Sequence, residues 1–433
     1  MNSLWSETAQ VKSFDTLKGN IKTDVLIIGG GLAGILCAYM LHSEGVDYIL
    51  VEQNRILSGV TKNTTAKITS QHGLIYHKIL KKYGKETAKK YYDINEKAIK
   101  EYAKLCENTN CDFEYKSSFV YSIENEFKIQ KELSALSEIG ADSAFKRDLT
   151  LPFEVCGAVE FKNQAQFHPI KFVSSVCENL NIYENTKVNE IIGNVALTSN
   201  GNIIADKIIV ATHFPFINKH GSYFIKMYQE RSYVIALNNG ADVEGMYVDE
   251  AQKGMSFRNH GKYLLVGGGD HRTGKNGGNY KELIDFARRY YKEDEISYKW
   301  ATQDAVTLDS MPYIGQYSKN TPGLFVATGF NKWGMSSSMV SAMILKDVVT
   351  EKENEYADIF SPSRSVVHPQ LFINAGESVF NLITPTKPRC PHLGCALKYN
   401  KEEHSWDCPC HGSRFKTDGQ LINNPATDNL KLE

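Results

Sequence analysis

The 433-residue chain lacks charge of one sign. Its 49 lysines and arginines stand against 50 aspartates and glutamates, a formal net charge of −1. That balance gives no electrostatic reason to expect nucleic acid or an anionic membrane as a partner. The first residues, MNSLWSETAQ, lack the basic region and apolar core of a secretion signal. A membrane span is also missing, because the apolar stretch 25–41 is broken by Gly29, Gly30 and Gly31 and reads as a strand followed by a helix. Cysteine is thin over most of the chain, and Cys37, Cys106, Cys111, Cys156 and Cys177 are too scattered for a disulfide framework. The expectation is a cytoplasmic protein with reduced thiols. Its length predicts about three domain-sized units.

Within this ordinary composition, the stretch Asp24–Gly34 is distinctive. Val25, Leu26, Ile27 and Ile28 form the short apolar run of a buried parallel strand. Gly29, Gly31 and Gly34 then give G-x-G-x-x-G ahead of a predicted helix over 32–43. The first glycine permits the tight turn, the second a close approach to a pyrophosphate, and the third close helix–strand packing. A second apolar run ends in Glu52, 18 residues after Gly34, where a carboxylate receives the ribose hydroxyls. This is the only dinucleotide fingerprint. The triplet Gly267–Gly269 precedes no apolar helix and reads as a hairpin or loop turn.

The remaining pattern is read in chain order. Residues 1–23 are expected to form a surface arm. Residues 76–108 should be helical with a break at Gly84, 113–123 a strand and 127–139 a helix. Pro169 opens a helix to about Leu180. Lys187–Leu197 and Ile203–Ala211 read as two strands joined at Asn200-Gly201. From 216 to 304 the chain is β-rich, with a helix near 280–293. A strand at Leu324–Ala327, a glycine turn and a helix from Met335 follow. Residues 361–370 read as a linker.

The densest chemistry is C-terminal. Cys390, Cys395, Cys408 and Cys410 fall within 21 residues, with His392 and His411 interleaved as C-x-H-x15-C-x-x-H. Two thiolates and two imidazoles would also suit zinc. The tight C-x-H step and the extra cysteine behind each pair favour a cluster instead. The segment resembles a Rieske [2Fe–2S] domain. That resemblance implies that Cys390 and Cys408 ligate one iron and His392 and His411 the other, and that Cys395 and Cys410 form a disulfide between the two loops. It also implies that NNPATDN (423–429) covers the cluster, and that fewer residues than usual are left for the first strands.

The fingerprint with Glu52, IIVATH (208–213) and DSMPYIG…GLFVATGFNKWGMSSS together resemble the glycine oxidase and D-amino-acid oxidase family of FAD-dependent oxidoreductases. The combined layout is similar to a family of bacterial flavoprotein–iron–sulfur proteins. The implied fold class is an α/β FAD-binding domain of Rossmann-like, glutathione-reductase type, over 1–110, 150–215 and 305–360. A β-rich substrate domain would occupy 111–149 and 216–304, and a small all-β Rieske domain 361–433. By resemblance Val188 meets the adenine, and Gly329, Phe330, Gly334 and Met335 meet the flavin pyrimidine ring. His72 stands where relatives place a histidine against the flavin, with attachment, proton handling or packing as its possible roles. Lys332 and Trp333 are candidates for the catalytic pocket. Arg231 and Tyr233 begin the strand expected to roof the flavin, where an arginine could clamp a carboxylate. Ser336 occupies the position at which related amine oxidases hold a carboxylate-binding lysine.

These features imply oxidation of a small amine, amino acid or hydroxy acid at FAD, with electrons passed singly to the cluster and on to an electron-carrier protein or quinone-like acceptor. Electron flow from the cluster to FAD is the alternative, and a redox sensor without a small-molecule substrate is another. Ser413 matches a hydroxyl that bonds a cluster sulfur in high-potential Rieske domains, whereas Phe415 replaces a tyrosine donor. Hydrogen bonds to sulfur stabilise the more negative reduced cluster, so the loss of one lowers the potential. A redox titration should give a midpoint below the top of the Rieske range. A value at that top would refute the assignment of Phe415.

Overall fold

The computed structural model describes residues 2–292, 295–365, 373, 376, 380–385 and 388–431. Three sheets organise it. The first follows the order Tyr313–Gln316, Leu324–Thr328, Asn202–Val210, Ile21–Ile28, Tyr48–Val51, Ile182–Tyr183. Its inner pairings are parallel; the Tyr313–Gln316 edge is antiparallel, as are Val188–Ile192 and Val195–Thr198, which pair with each other and, through the latter, with Asn202–Val210. Strands covered on both faces need apolar residues throughout, and Val25–Ile28 and Tyr48–Val51 are buried at every position. The helices Leu32–Ser43 and Gly334–Val349 pack together against this sheet.

The second sheet has nine strands and forms a roof. Its order is Ile296–Thr307, Met227–Asn238, Tyr263–Arg272, Ser256–His260, Met246–Asp249, Glu114–Ser122, Gly157–Gln166 and Lys67–Ile68, with Ala144–Lys146 paired to Gly157–Gln166. Trp300 Nε1, on one edge strand, donates to Asn63 O at 3.0 Å, four residues before the opposite edge strand, so the roof curls over what lies beneath it. The third sheet is a small antiparallel meander, Lys398–Asn400, Ser405–Asp407, Arg414–Lys416 and Leu421–Asn423. It packs around the four clustered cysteines and Phe415. Among the described residues, only the single bridge Arg389–Ala396 precedes its strands.

The long helix Tyr76–Cys106 carries its expected break at Gly84, where φ is +87°. Several expectations are corrected. The N-terminal arm is not peripheral. Leu4–Thr8 is a helix capped by Ser3, with Leu4 and Trp5 fully buried. Trp5 Nε1 donates to Thr64 O at 2.7 Å, and the Arg258 guanidinium lies 5.3 Å from its ring. The run Lys187–Leu197 is two strands, Val188–Ile192 and Val195–Thr198, because Gly193 takes φ +61° between them. Gly267–Gly269 is not a turn but lies inside the strand Tyr263–Arg272. A Cβ on Gly267 or Gly268 would come within 2.6 Å of Ser256 Oγ or Met255 Sδ, so the glycines make room for the neighbouring strand's side chains. The strand Gly157–Gln166, grouped above with the nucleotide-binding part, pairs with Glu114–Ser122 in the roof. Of the linker, 366–370 lie outside the described residues, and Arg364 is anchored by a bidentate pair with Asp309 at 2.7 and 2.9 Å.

A peripheral arm would tolerate truncation of Trp5, whereas a buried tryptophan would not. Trp5→Ala should cost about 3–5 kcal/mol and lower the thermal midpoint accordingly. An unchanged midpoint would contradict the packing of this helix.

Candidate flavin cavity and cluster site

The glycine loop opens into a cavity of ≈ 380 Å³ beneath the roof. Gly29 sits at φ +115°, and a Cβ there would lie 2.6 Å from Ala211 O. At Gly34 a Cβ would lie 2.0 Å from Gly29 O, so helix and strand can approach only without one. A Cβ on Gly31 would have Thr61 Oγ1, at 3.6 Å, as its nearest neighbour, and Gly31 lines the cavity. The helix it precedes has no cap from its own N-cap side chain, although Leu32 N donates to Thr61 Oγ1 at 3.1 Å. Its positive end is therefore presented to the cavity, as an anion cradle requires. Glu52 accepts from Gly30 N at 2.8 Å and Asn54 N at 2.9 Å, and burial raises its carboxyl above the ordinary range. Val188, Phe330, Gly334 and Met335 also line the cavity. Gly329 does not. It forms the turn behind, where a Cβ would meet Thr307 Cγ2 at 2.3 Å. These residues fit a dinucleotide with its pyrophosphate on the first helix and its ring beneath the roof.

The structure separates the three candidate catalytic residues. Trp333 lines the cavity and stacks on His72 with centroids 5.1 Å apart. His72 lies behind it, outside the lining. Its Nδ1 meets Tyr91 Oη at 2.6 Å, and its Nε2 meets Thr69 O and Ser336 Oγ at 2.8 Å each. Burial pushes its pKa down to about 3, so the ring is neutral. Lys332 lines the cavity, but its ammonium is shared between Asp270 at 2.6 Å and Glu230 at 2.8 Å. Burial alone would lower its pKa; the two carboxylates outweigh that and hold it charged. Asp304, on the same wall, is pushed up to about 6 by burial.

The clustered cysteines and histidines lie on two loops of matching design. Cys390 N donates to Cys395 O at 2.8 Å and Gly394 N to Cys390 O at 2.9 Å. Cys408 N donates to Ser413 O at 2.8 Å and Gly412 N to Cys408 O at 2.9 Å. Gly394 and Gly412 close the two turns at φ +79° and +84°. Cys395 and Cys410 form a disulfide joining the loops. They lie with Cys408 in a compact sulfur group, but a disulfide pair has no thiolate to give a metal. The Cys390 and Cys408 thiols are free and buried. The His392 and His411 rings stand 5.0 Å apart at 86°, each with a buried Nδ1 lacking any hydrogen-bond partner. Two thiols and two unpaired imidazole nitrogens fit a Cys2His2 cluster. Ser413 Oγ accepts from Ala426 N at 2.9 Å, and Phe415 is fully buried.

The cluster loops also close the flavin cavity. Asn423, Asn424, Ala426 and Thr427 line the same cavity as the glycine loop. Arg231, for which a carboxylate clamp and a structural role both stood open, takes the structural one and holds Glu403 of the cluster sheet in a bidentate pair, with its Nε at 3.0 Å. Tyr233 Oη donates to the same carboxylate at 3.4 Å, and Arg414 Nη2 at 2.9 Å. Gln229 Nε2 donates to His411 O at 2.7 Å, and Gln303 Nε2 to Gly412 O at 2.8 Å. His392 Nε2 meets Asn218 Oδ1 at 2.9 Å, and the Phe224 ring stands edge-on to both histidines. Glu403, Gln229 and Gln303 carry no local sequence signal. Only docking brings them into the site.

A family model described as FAD dependent oxidoreductase (DAO) matches residues 24–348, and a Rieske [2Fe-2S] domain model matches 368–432. The chain belongs to the DAO family of FAD-dependent oxidoreductases. It is an FAD-dependent oxidoreductase carrying a Rieske [2Fe–2S] domain, and its cofactors are FAD and that cluster. A curated Bacillus subtilis (strain 168) relative, the Rieske 2Fe-2S iron-sulfur protein YhfW, is 35% identical over 491 aligned positions, spanning 99% of this chain and 96% of its own. The cytochrome b6-f complex iron-sulfur subunit of Arabidopsis thaliana is 44% identical over 43 residues, only 19% of its length. Glycine oxidase from Geobacillus kaustophilus superposes with a TM-score of 0.66 at 17% identity, over 80% of this chain and all of that one. L-proline dehydrogenase from P. horikoshii gives 0.67 at 16%, over 80% and 98%. At these identities the two structures establish the fold. Among the described residues, no helix is long and apolar enough to cross a membrane.

The docking contact carries a pH test. Burial would raise the Glu403 carboxyl, but Arg231 and Arg414 outweigh it and hold it below the ordinary range. A depressed carboxylate contributes stability that is fully present above its unfolded pKa and is lost as pH falls through the folded one. Small-angle scattering should show a docked molecule at neutral pH that expands only below the usual carboxylate range. Arg231→Ala should move that expansion to higher pH. Dimensions indifferent to both pH and the substitution would refute the latch.

Proposed function

We propose that this oxidoreductase takes hydride from a carbon bearing nitrogen or oxygen, in a small amine, amino acid or hydroxy acid. The electrons then pass singly to the Rieske cluster and on to an electron-carrier protein or quinone-like acceptor. The observation carrying this reading is the cavity wall itself, in which the glycine loop and the cluster-covering residues Asn423–Thr427 face one space. Bound FAD supplies a two-electron acceptor able to release electrons one at a time, and the cluster a one-electron carrier.

The chain's own groups prepare that space. The N-termini of the helices at Leu32 and Gly334 both open onto it and favour negative charge, the first at the pyrophosphate and the second at a reduced ring. Glu52 orients the ribose through its fixed carboxylate. His72 acts through Trp333: its two bonded nitrogens lock the imidazole that the indole stacks against, so it is a positioning residue. Lys332 neutralises Glu230 and Asp270 on the roof, which makes it a poor free anchor for substrate. Docking of the cluster sheet covers the cavity and keeps water from the reacting carbon. A cytoplasmic setting agrees with Cys37, Cys106, Cys111, Cys156 and Cys177 remaining free thiols.

The test is anaerobic titration of the purified protein with candidate amines, amino acids and hydroxy acids, following flavin bleaching alongside the reduced-cluster EPR signal. Bleaching with at least one donor, followed by the EPR signal, is expected. Bleaching by reduced carrier proteins alone would overturn the direction of flow. Cys390→Ser should abolish the EPR signal while flavin absorbance stays.

A further inference from the structure

Residues 211–214, after the strand Asn202–Val210, form a turn that meets three parts of the molecule at once. Ala211 lies against Gly29 of the glycine loop. The carbonyls of Thr212 and Phe214 both accept from Asn424 Nδ2 of the cluster-covering loop, at 2.8 and 2.5 Å. His213 is held between them at φ +67°, and its carbonyl accepts from Thr328 Oγ1 at 2.5 Å. Histidine is among the few residue types that tolerate this region, and contacts on both sides fix it there.

The His213 side chain lines the flavin cavity, yet its Nε2 is buried without a hydrogen-bond partner. Buried polar atoms are normally paired, so an orphan in a cofactor cavity points to a partner supplied from within it. Gln229 meets the same turn from the roof through Asn424, whose Nδ2 bonds the carbonyls on either side of His213. Gln229 Nε2 donates to the carbonyl of the cluster ligand His411 at 2.7 Å and to Asn424 O at 3.0 Å. Gln229 is fully buried, and a Cβ on Gly412 would lie 2.6 Å from its Cβ, so cluster loop and roof touch with no room for water. Burial pushes His213 down to about 4, so the ring is neutral near pH 7.

We propose that His213 and Gln229 bridge the two redox centres, His213 on the flavin side and Gln229 on the cluster side, and that electrons cross between them along this contact. The inference rests on the proposed function and adds the route. Electrons tunnel more readily through bonded and hydrogen-bonded atoms than across a gap. In the step concerned, one electron leaves the reduced flavin and one ferric ion of the cluster becomes ferrous. The second electron follows once the one-electron acceptor has reoxidised the cluster. Neither residue changes oxidation state, and both act as positioning residues.

The test uses the full chain loaded with both cofactors. The flavin is photoreduced anaerobically in a flash, and cluster reduction is followed by absorbance and freeze-quench EPR. His213→Asn keeps a residue tolerant of left-handed backbone but shortens the side chain, and Gln229→Leu keeps the bulk but removes the amide. Each should slow cluster reduction severalfold, with flavin absorbance and cluster g-values unchanged. A rate within about twofold of the parent in either loaded variant would overturn the bridge, and if one variant fails to load, the other decides. If the parent itself does not reduce its cluster from photoreduced flavin, the proposed function falls, and the bridge with it.

Discussion

The cluster sheet is held against the roof by buried polar groups rather than by a greasy face. Gln229, Gln303 and Arg231 lie on one end of the roof, and each has its hydrogen bonds met by cluster-domain atoms. All three are fully buried in the docked molecule. The neutral hydrogen bonds of Gln229 and Gln303 contribute about 1 kcal/mol each, and a buried donor left unpaired costs about 1–3 kcal/mol, so alternative dockings are penalised more than the observed one is rewarded. The result is specificity of placement, and the shared cavity depends on it.

The placement explains how charge is arranged in the cavity. A roof that carried a free arginine, a free lysine and several carboxylates would titrate unpredictably around a bound flavin. Instead Lys332 is claimed by Glu230 and Asp270, and Arg231 by Glu403. Glu52 is claimed by backbone amides. Asp304 faces the same cavity with a carboxyl raised to about 6 by burial. The wall therefore has a titrating carboxylate not far below neutral pH and, in Lys67, an ammonium that burial lowers to about 7, while Lys332 stays charged.

What could be read from the sequence was whatever chemistry compresses into short spacings. The glycine loop with Glu52, the Cys/His pairs and the late Gly329–Met335 turn are each local; the glycine loop, Glu52 and Phe330, Gly334 and Met335 line one cavity, with Gly329 behind it. The helix break at Gly84 and the hairpin at Asn200-Gly201 follow from backbone preference alone. The errors fall where partners come from far away in sequence. Trp5 looked peripheral because the groups that bury it, Thr64 and Arg258, lie some sixty and two hundred fifty residues on. Gly267–Gly269 looked like a turn because the side chains needing its space, Met255 and Ser256, lie just before and at the start of the neighbouring strand. The partner of Arg231 could not be named from the sequence because that carboxylate, Glu403, sits in a hairpin of another domain.

That last pair has an evolutionary consequence. Arg231 and Glu403 are 172 residues apart in the chain and sit in different sheets; Glu403 would keep Arg414 if Arg231 changed, but loss of Glu403 would strand Arg231 in a buried interface. Position 403 is therefore constrained for as long as position 231 is an arginine. A lineage that discarded the cluster domain would release position 231 from that tie, and the arginine would then be available for a carboxylate arriving from solution.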